Sequence, residues 1–277
     1  MGIHPTLHCP CQGRFLTPAF TYAAAPAGET AFDLQGRPYL RRYDHCTVCG
    51  HWFGRHDLDL DGLYARDYVD ATYGGLAGMR QKFETIMALP PEKSDNVQRI
   101  ARVRAFALRR GIDESVCPRL LDVGAGLGVF PAAMKTNGWR VTALETDART
   151  VQHLRAVVGV ETLDLPLAQM QESAAEPFDL IAFNKVLEHV ADPVSLLIAA
   201  KALLLQQGFI YVEVPDVAAA AEGPEREEFF IEHHHVFSPA SVALLSARAG
   251  LSPISIARLR EPSGKFTLNA FLTVSSS

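Results

Sequence analysis

The chain has 277 residues, of which 48% are hydrophobic and 21% charged, with a formal net charge of −5. That length allows one large domain or two ordinary ones, and the composition excludes both a disulfide-stapled miniprotein and a disordered tail. The acidic balance lacks the basic footprint of a protein that binds nucleic acid through its phosphates, so a small-molecule partner fits better. The longest apolar stretch, Leu196 to Leu205, is interrupted by Lys201 and is too short to cross a bilayer. No basic region followed by an apolar run opens the chain, so a cytoplasmic protein without a membrane span is expected.

Residues 1–62 form a cysteine-rich segment holding four of the five cysteines, Cys9, Cys11, Cys46 and Cys49. An odd total without an export signal argues for thiol or metal chemistry over a disulfide framework. Cys46-Thr47-Val48-Cys49-Gly50 is a C-x-x-C-G knuckle. With Cys9 and Cys11 it would bind a structural zinc tetrahedrally, giving a core-poor segment folding energy it otherwise lacks. The first half is irregular, because one residue separates Cys9 from Cys11 while the usual two separate His8 from Cys11. An all-cysteine site and a site of one histidine and three cysteines both stand, and His45 and His51 flank the second knuckle. Free thiols are the structural alternative. Asp57, Asp59 and Asp61 make the surroundings acidic, which opposes phosphate binding. A strand is expected over Arg37 to Tyr43.

Residues 63–115 read as a helical linker or lid, with helices over Met79 to Leu89 and Asp95 to Arg110. Ser94 or Asp95 caps the second of these and Gly111 ends it. From residue 116 to 277, β-rich runs alternate with helical ones, the pattern of an α/β fold in which helices cover a parallel sheet. Strands are expected at Arg119 to Val123, Arg140 to Glu145, Val158 to Leu163, Phe178 to Phe183, Phe209 to Val214, Ser252 to Arg260 and Phe266 to Val274. Helices fall at Val129 to Asn137, Asp147 to Val157, Leu167 to Ala174, Pro193 to Gln206 and Pro239 to Ala249. Asp192 before Pro193 marks one start clearly, an N-cap residue preceding proline at the first helical position. Cys117, ahead of the first of these strands, reads as a buried thiol.

In LLDVGAGLGVF an apolar strand stops at Gly124, Gly126 and Gly128 and continues into a helix. Glycines there let the backbone turn tightly and approach a ligand where a Cβ would collide. Glu145 follows 17 residues after Gly128, at the end of the next strand, where a carboxylate can accept hydrogen bonds from ribose hydroxyls. A dinucleotide fingerprint would place a third glycine at Val129, and no Tyr-x-x-x-Lys pair for hydride transfer occurs. Asp122 suits a cationic ligand better than a pyrophosphate.

LLDVGAGLGVF, VTALETD, FDLIAFNKVLEHVADP and GFIYVEVPD resemble successive motifs of class I S-adenosylmethionine-dependent methyltransferases, over about residues 118–277. The resemblance implies a Rossmann-like seven-stranded sheet whose last strand is antiparallel, with the cofactor across the carboxyl ends of its first, second and fourth strands. By the same resemblance Asp122, Gly124, Ala125 and Gly126 surround the methionine part, and Glu145 with Thr146 the ribose. Thr162 and Leu163 neighbour adenine, and Asn184 sits beside the sulfonium.

Histidines cluster where an acceptor would sit, at His189 and at Glu232-His233-His234-His235. Methyl transfer needs an aligned nucleophile and, where necessary, removal of its proton, a task histidine performs near neutral pH. FFIEHHHVFSPASVALL resembles the E-H-x-x-x-F-S segment of sugar and natural-product C-methyltransferases, in which the Glu-His pair is implicated as base. Glu232 and His233 match that pair, His189 would position the acceptor, and Glu188 reads as structural. The histidine run is also a possible metal site, although adjacent side chains of an extended segment point to opposite faces. The N-terminus, including LYARDYVDATYGG, resembles the zinc-binding segment that precedes the catalytic domain in the same C-methyltransferase-like group, apart from its C-x-C spacing. The expected function is therefore methyl transfer from S-adenosylmethionine to a small molecule, at carbon or alternatively at oxygen or nitrogen. A non-catalytic cofactor-binding scaffold and a nicotinamide-dependent oxidoreductase are the competing readings.

Overall fold

The computed structural model describes residues 15–30, 34, 36–58, 73–170 and 176–275. His8, Cys9, Cys11, Asp59, Asp61 and most of the LYARDYVDATYGG stretch lie outside the described residues.

Three antiparallel strands, β1 (Leu16–Tyr22), β2 (Arg41–Cys46) and β3 (Trp52–Arg55), come first. The strand expected from Arg37 starts instead at Arg41, since Pro38 has no N–H to give a ladder. Helices α1 (Gly75–Met87) and α2 (Asp95–Arg109) follow. Ser94 caps α2, its hydroxyl accepting from the Val97 amide at 3.3 Å, while the Asp95 carboxylate turns away to the Ser263 hydroxyl at 2.7 Å.

The alternating region then runs β4 (Arg119–Val123), α3 (Val129–Thr136), β5 (Arg140–Leu144), α4 (Ala148–His153), β6 (Glu161–Leu163), α5 (Leu167–Met170) and β7 (Phe178–Asn184). It continues through α6 (Pro193–Ala202), β8 (Leu204–Pro215), the two-residue β9 (His235–Val236), α7 (Pro239–Arg248), β10 (Leu251–Arg260) and β11 (Phe266–Val274). Seven of these strands form one sheet in the order β10-β11-β8-β7-β4-β5-β6, parallel except for β11, which pairs antiparallel with both neighbours. This is the expected Rossmann-like sheet. Both faces are buried, and side chains alternate between them: Leu121, Ile181 and Ile210 enter one core, Leu120, Leu180 and Phe209 the other.

Several expected boundaries move: α1 starts at Gly75 instead of Met79 and β8 at Leu204 instead of Phe209. Helix α6 stops at Ala202 instead of Gln206, because Leu204 pairs with Phe178 and the Phe178 amide donates to the Leu203 carbonyl at 2.8 Å. The ladder of β7 thus takes residues whose own propensity is helical. Strand β6 shrinks to Glu161–Leu163, since Leu154–Val158 widen into a π turn that ends at Gly159, φ +68°. Cys117 is exposed, contrary to expectation, because it sits in a left-handed turn, φ 53°, ahead of β4.

Strands β1, β2 and β3 are not a separate layer. Strand β3 pairs with β9, so the N-terminal strands and the segment after Glu232-His233 make one four-stranded sheet, β1-β2-β3-β9. Cys46, Cys49 and Phe53 belong to the same buried cluster as Leu121 and Phe183 of the central sheet. Among the described residues no helix is long and apolar enough to cross a membrane.

Candidate active site

The strand order reverses between β4 and β7, so their carboxyl ends diverge and leave a crevice, the place where open α/β sheets bind ligands. Asp122, from β4, is 2% exposed there, and the Asn184 side-chain amide at the end of β7 donates to its Oδ1 at 2.9 Å. Burial pushes the Asp122 carboxyl up to about 7, against the opposing pull of Asn184 and the Arg99 guanidinium. The side-chain oxygen of Asn184 is buried and has no hydrogen-bond partner among the described residues.

Beyond Asp122 the three glycines all take left-handed backbone, and their surroundings differ. A Cβ on Gly124 would come within 2.8 Å of Val186, and one on Gly128 within 2.7 Å of both Leu154 and Val158. A Cβ on Gly126, φ +51°, would meet nothing within 4 Å. Gly124 and Gly128 are therefore required by packing, whereas Gly126 leaves open space. The Gly126 amide donates to Glu145 Oε2 at 3.2 Å and the Thr146 amide to Oε1 at 2.9 Å. Burial raises the Glu145 carboxyl, and these two amides oppose the rise. Ala125 closes the turn, its carbonyl accepting from Gly128 at 2.9 Å, and the Leu163 carbonyl accepts from the Glu145 amide at 3.1 Å. Thr162 is buried with its hydroxyl on the Val160 carbonyl at 3.1 Å. An open glycine turn, a carboxylate at the next strand end and an unpaired buried amide oxygen fit S-adenosylmethionine, whose cationic methionine part would lie by Asp122 and Asn184 and whose ribose by Glu145.

The segments after β7 and before β9 meet at a cavity of 190 Å³, with Lys185, Glu188, His189, Glu232 and His233 in its wall. Lys185 has φ 60°, an uncommon conformation for a residue with a side chain, and its Nζ donates to the Thr267 hydroxyl at 2.7 Å. His189 donates from Nδ1 to the Glu232 carbonyl at 3.0 Å, and His233 from Nδ1 to the Glu228 carbonyl at 2.9 Å. It is thus a backbone carbonyl, and not the Glu232 carboxylate, that orients His233. The rings of His189 and His233 meet edge to face, centroids 4.9 Å apart. Burial lowers both imidazoles below their ordinary value, His233 well below it, and lifts the Glu188 carboxyl to about 7.

The remaining histidines of the run leave the cavity. His234 stacks on His56, and His235 enters β9. The loop is held from behind by the N-terminal sheet: Tyr43 donates from its hydroxyl to the His233 carbonyl at 2.6 Å, and the Gly54 amide to the His234 carbonyl at 2.9 Å. Lys185 is the cavity residue that reading the sequence passed over, and Glu188, read there as structural, also lines the cavity. The left-handed Lys185 backbone that turns the chain into the cavity has no signal in residue type.

Cys46 and Cys49 are buried in the turn between β2 and β3, where the Cys49 amide donates to the Cys46 sulfur at 3.4 Å. This is half of the expected four-ligand set, Cys9 and Cys11 being outside the described residues. His51 does not face that turn as a ligand, since its ring nitrogens lie 3.0 Å from Ser241 Oγ and from His235 Nδ1.

The profile of the methyltransferase-domain family matches residues 85–256. The chain belongs to that family. The chain is 27% identical over 150 residues to a ubiquinone biosynthesis O-methyltransferase of Bordetella avium (strain 197N), covering 49% of this chain and 62% of that protein. A relative of the same name from Xylella fastidiosa (strain 9a5c) is 33% identical over 109 residues, 37% of this chain and 44% of that one. The chain thus spans about half the length of the curated relatives it matches. Among solved structures, magnesium protoporphyrin IX methyltransferase from Synechocystis PCC 6803 has a TM-score of 0.54 at 14% identity, over 76% of this chain and 98% of that one. The CcbJ methyltransferase from Streptomyces caelestis has a TM-score of 0.51 at 15% identity, over 70% and 96%. At these identities the likeness is one of fold.

Proposed function

We propose that this methyltransferase moves a methyl group from S-adenosylmethionine to a small-molecule acceptor seated in the 190 Å³ cavity. The observation that carries the reading is the pair of half-buried imidazoles, His189 and His233, in the wall of a cavity that Lys185, the residue after Asn184, also lines. When bound, S-adenosylmethionine supplies a methyl group on a positively charged sulfur. Asp122 and Asn184 hold the cationic end of the cofactor, and Glu145 holds the ribose. The wall of the cavity holds the acceptor, excludes water and takes its proton. His233 is the proton acceptor, its Nδ1–H fixed on the Glu228 carbonyl so that Nε2 carries the lone pair. Glu232 shares the proton, and His189 positions the acceptor.

A wall built to take a proton suits an acceptor that must lose one before it attacks. A carbon acid of a sugar or secondary metabolite comes first, on the likeness of Glu232 and His233 to the C-methyltransferase pair. A hydroxyl is the second reading, favoured by the relatives named as O-methyltransferases. A structural zinc on Cys46 and Cys49, completed by Cys9 and Cys11 or by His8 and Cys11, belongs to the same proposal. Support comes from the buried thiol turn, and metal content of wild type against Cys46→Ser tests it.

Calorimetric titration with S-adenosylmethionine and its demethylated product tests the central claim. Both should bind, Glu145→Ala should lose about tenfold or more in affinity through the lost charge-assisted hydrogen bonds, and an acceptor screen should then give methylated product. Absence of binding to folded protein refutes the reading. Full turnover by His233→Ala and Glu232→Gln would remove the base assignment alone.

A further inference from the structure

We propose that Glu188, His189 and His233 form a divalent-cation site in the wall of the acceptor cavity. One ligand atom from each of the three side chains lies within 4.8 Å of the others. Two imidazoles and one carboxylate are the donor set of catalytic zinc sites that keep an open position and of non-haem iron(II) sites. An ion with bonds of about 2.1 Å would draw the three atoms together by modest side-chain rotation.

Both rings are already in the tautomer such an ion requires. A backbone carbonyl can only accept, so the hydrogen bonds from His189 to the Glu232 carbonyl, at 3.0 Å, and from His233 to the Glu228 carbonyl, at 2.9 Å, put the proton on Nδ1. The lone pair of each ring is therefore on Nε2. Carbonyls placed behind ligating histidines fix tautomer and ring orientation in this way.

Glu188 is the independent sign. It is 1% exposed, and its Oε2 has no hydrogen-bond partner among the described residues. A buried carboxylate oxygen left unpaired is costly unless a cation meets it. Lys185 shares the cavity wall and its charge favours the ionised Glu188 carboxyl, but its Nζ donates to the Thr267 hydroxyl at 2.7 Å and leaves Glu188 Oε2 without a hydrogen bond among the described residues. The run of consecutive histidines does not make this site. One turn after β7 supplies Glu188 and His189, and a loop far along the chain supplies His233.

All three residues line the cavity, so an ion they hold faces the acceptor. An acceptor oxygen coordinated there loses its proton at lower pH. An ion held there would occupy the His233 lone pair that serves as base in the metal-free chain, and the Glu232 carboxylate, whose Oε2 is buried and without a partner among the described residues, would then take the proton alone. The site goes beyond the methyl-transfer reading and is tested without it.

Cobalt(II) is the probe, titrated into the full chain and followed by calorimetry and visible absorption. Wild type should bind one equivalent at this site, with d–d bands and no sulfur-to-cobalt charge transfer once the sulfur bands of the proposed cysteine site are removed by Cys46→Ser. Glu188→Gln keeps the shape of the side chain, and its fold is checked by its melting temperature. It should bind cobalt at least tenfold more weakly, as should His233→Ala, while Glu188→Asp retains uptake and Cys46→Ser leaves the signal intact. Wild-type affinity in folded Glu188→Gln, or a cobalt signal of sulfur charge transfer alone, overturns the site. Titration with S-adenosylmethionine on the same samples separates failure of this site from failure of the methyltransferase reading.

Discussion

His51 Nε2 lies 3.0 Å from Nδ1 of His235, and the other nitrogen of His51 lies 3.0 Å from the Ser241 hydroxyl. His51 is fully buried, and burial holds its imidazole neutral, well below its ordinary value. The contact ties the turn that carries Cys46 and Cys49 to β9, two residues beyond His233. The N-terminal segment thereby sets the position of the loop that forms the cavity. His51→Ala should cost about 2–4 kcal/mol through the void and the lost partner of His235, Ser241 keeping its hydrogen bonds to the Ser238 backbone. Denaturant unfolding measures that loss, and His51→Gln, which keeps one hydrogen-bonding group, should recover part of it.

Asp122 links pH to both stability and cofactor affinity. Its folded value of about 7 stands above the ordinary 3.8, so the protonated form is favoured in the folded chain without ligand. The associated stability is present below about 3.8 and is lost as pH rises through about 7. A cationic ligand beside it reverses the preference. Affinity for S-adenosylmethionine should therefore rise by about tenfold between pH 6 and pH 8, because binding draws on the ionised form. Asp122→Asn should flatten that profile in calorimetry, bind more weakly, and raise the melting temperature of the ligand-free protein at pH 8.

Gly126 and Gly128 should separate binding from folding. Alanine at Gly128 places a Cβ 2.7 Å from both Leu154 and Val158, on top of a left-handed backbone at φ +74°, and should destabilise the fold by several kcal/mol. Alanine at Gly126 meets no atom within 4 Å and carries only the left-handed penalty of about 1–2 kcal/mol. It should nevertheless remove most cofactor affinity by filling the open turn. Thermal melting and calorimetry on the two variants should give opposite rankings.

Arg99 of α2 reaches the fully buried Glu213 of β8 with two hydrogen bonds, one of them 2.9 Å from Nη2 to Oε1. Despite burial, the guanidinium holds Glu213 well below the usual carboxylate range. A depressed carboxyl contributes stability above its unfolded value, about 4.5, that is lost as pH falls toward the folded one. Arg99→Met should cost about 3–5 kcal/mol at neutral pH by leaving a buried charge with only the Tyr211 hydroxyl at 2.9 Å and Arg102 at 3.9 Å. The deficit relative to wild type should narrow in acid melts.

The parts of the fold legible in residue order were those governed by local patterns. The apolar runs of β4 and β5, the glycine turn between β4 and α3, and the Asp192-Pro193 start of α6 all rest on interactions within a few residues, so they appear where the pattern put them. Helix α6 shows where this stops. Leu203 to Gln206 have helical propensity, and pairing of β8 with β7 overrides it.

The cavity shows the same division. Histidine and glutamate clusters at residues 188–189 and 232–235 were visible as chemistry, but their directions were not. Whether a ring faces the cavity depends on contacts from elements far apart in sequence: Glu228 for His233, Glu232 for His189, His56 for His234 and His51 for His235. By itself the sequence determined the Rossmann-like order of strands and helices, the glycine turn and the acidic residue after it, because periodicity and turn chemistry are local. Only the tertiary structure decided that the cysteine-rich segment shares a sheet with β9 and that Glu188, His189 and His233 converge on one point. Both depend on which distant backbone carbonyls and strand edges remain to be paired once the sheet has formed.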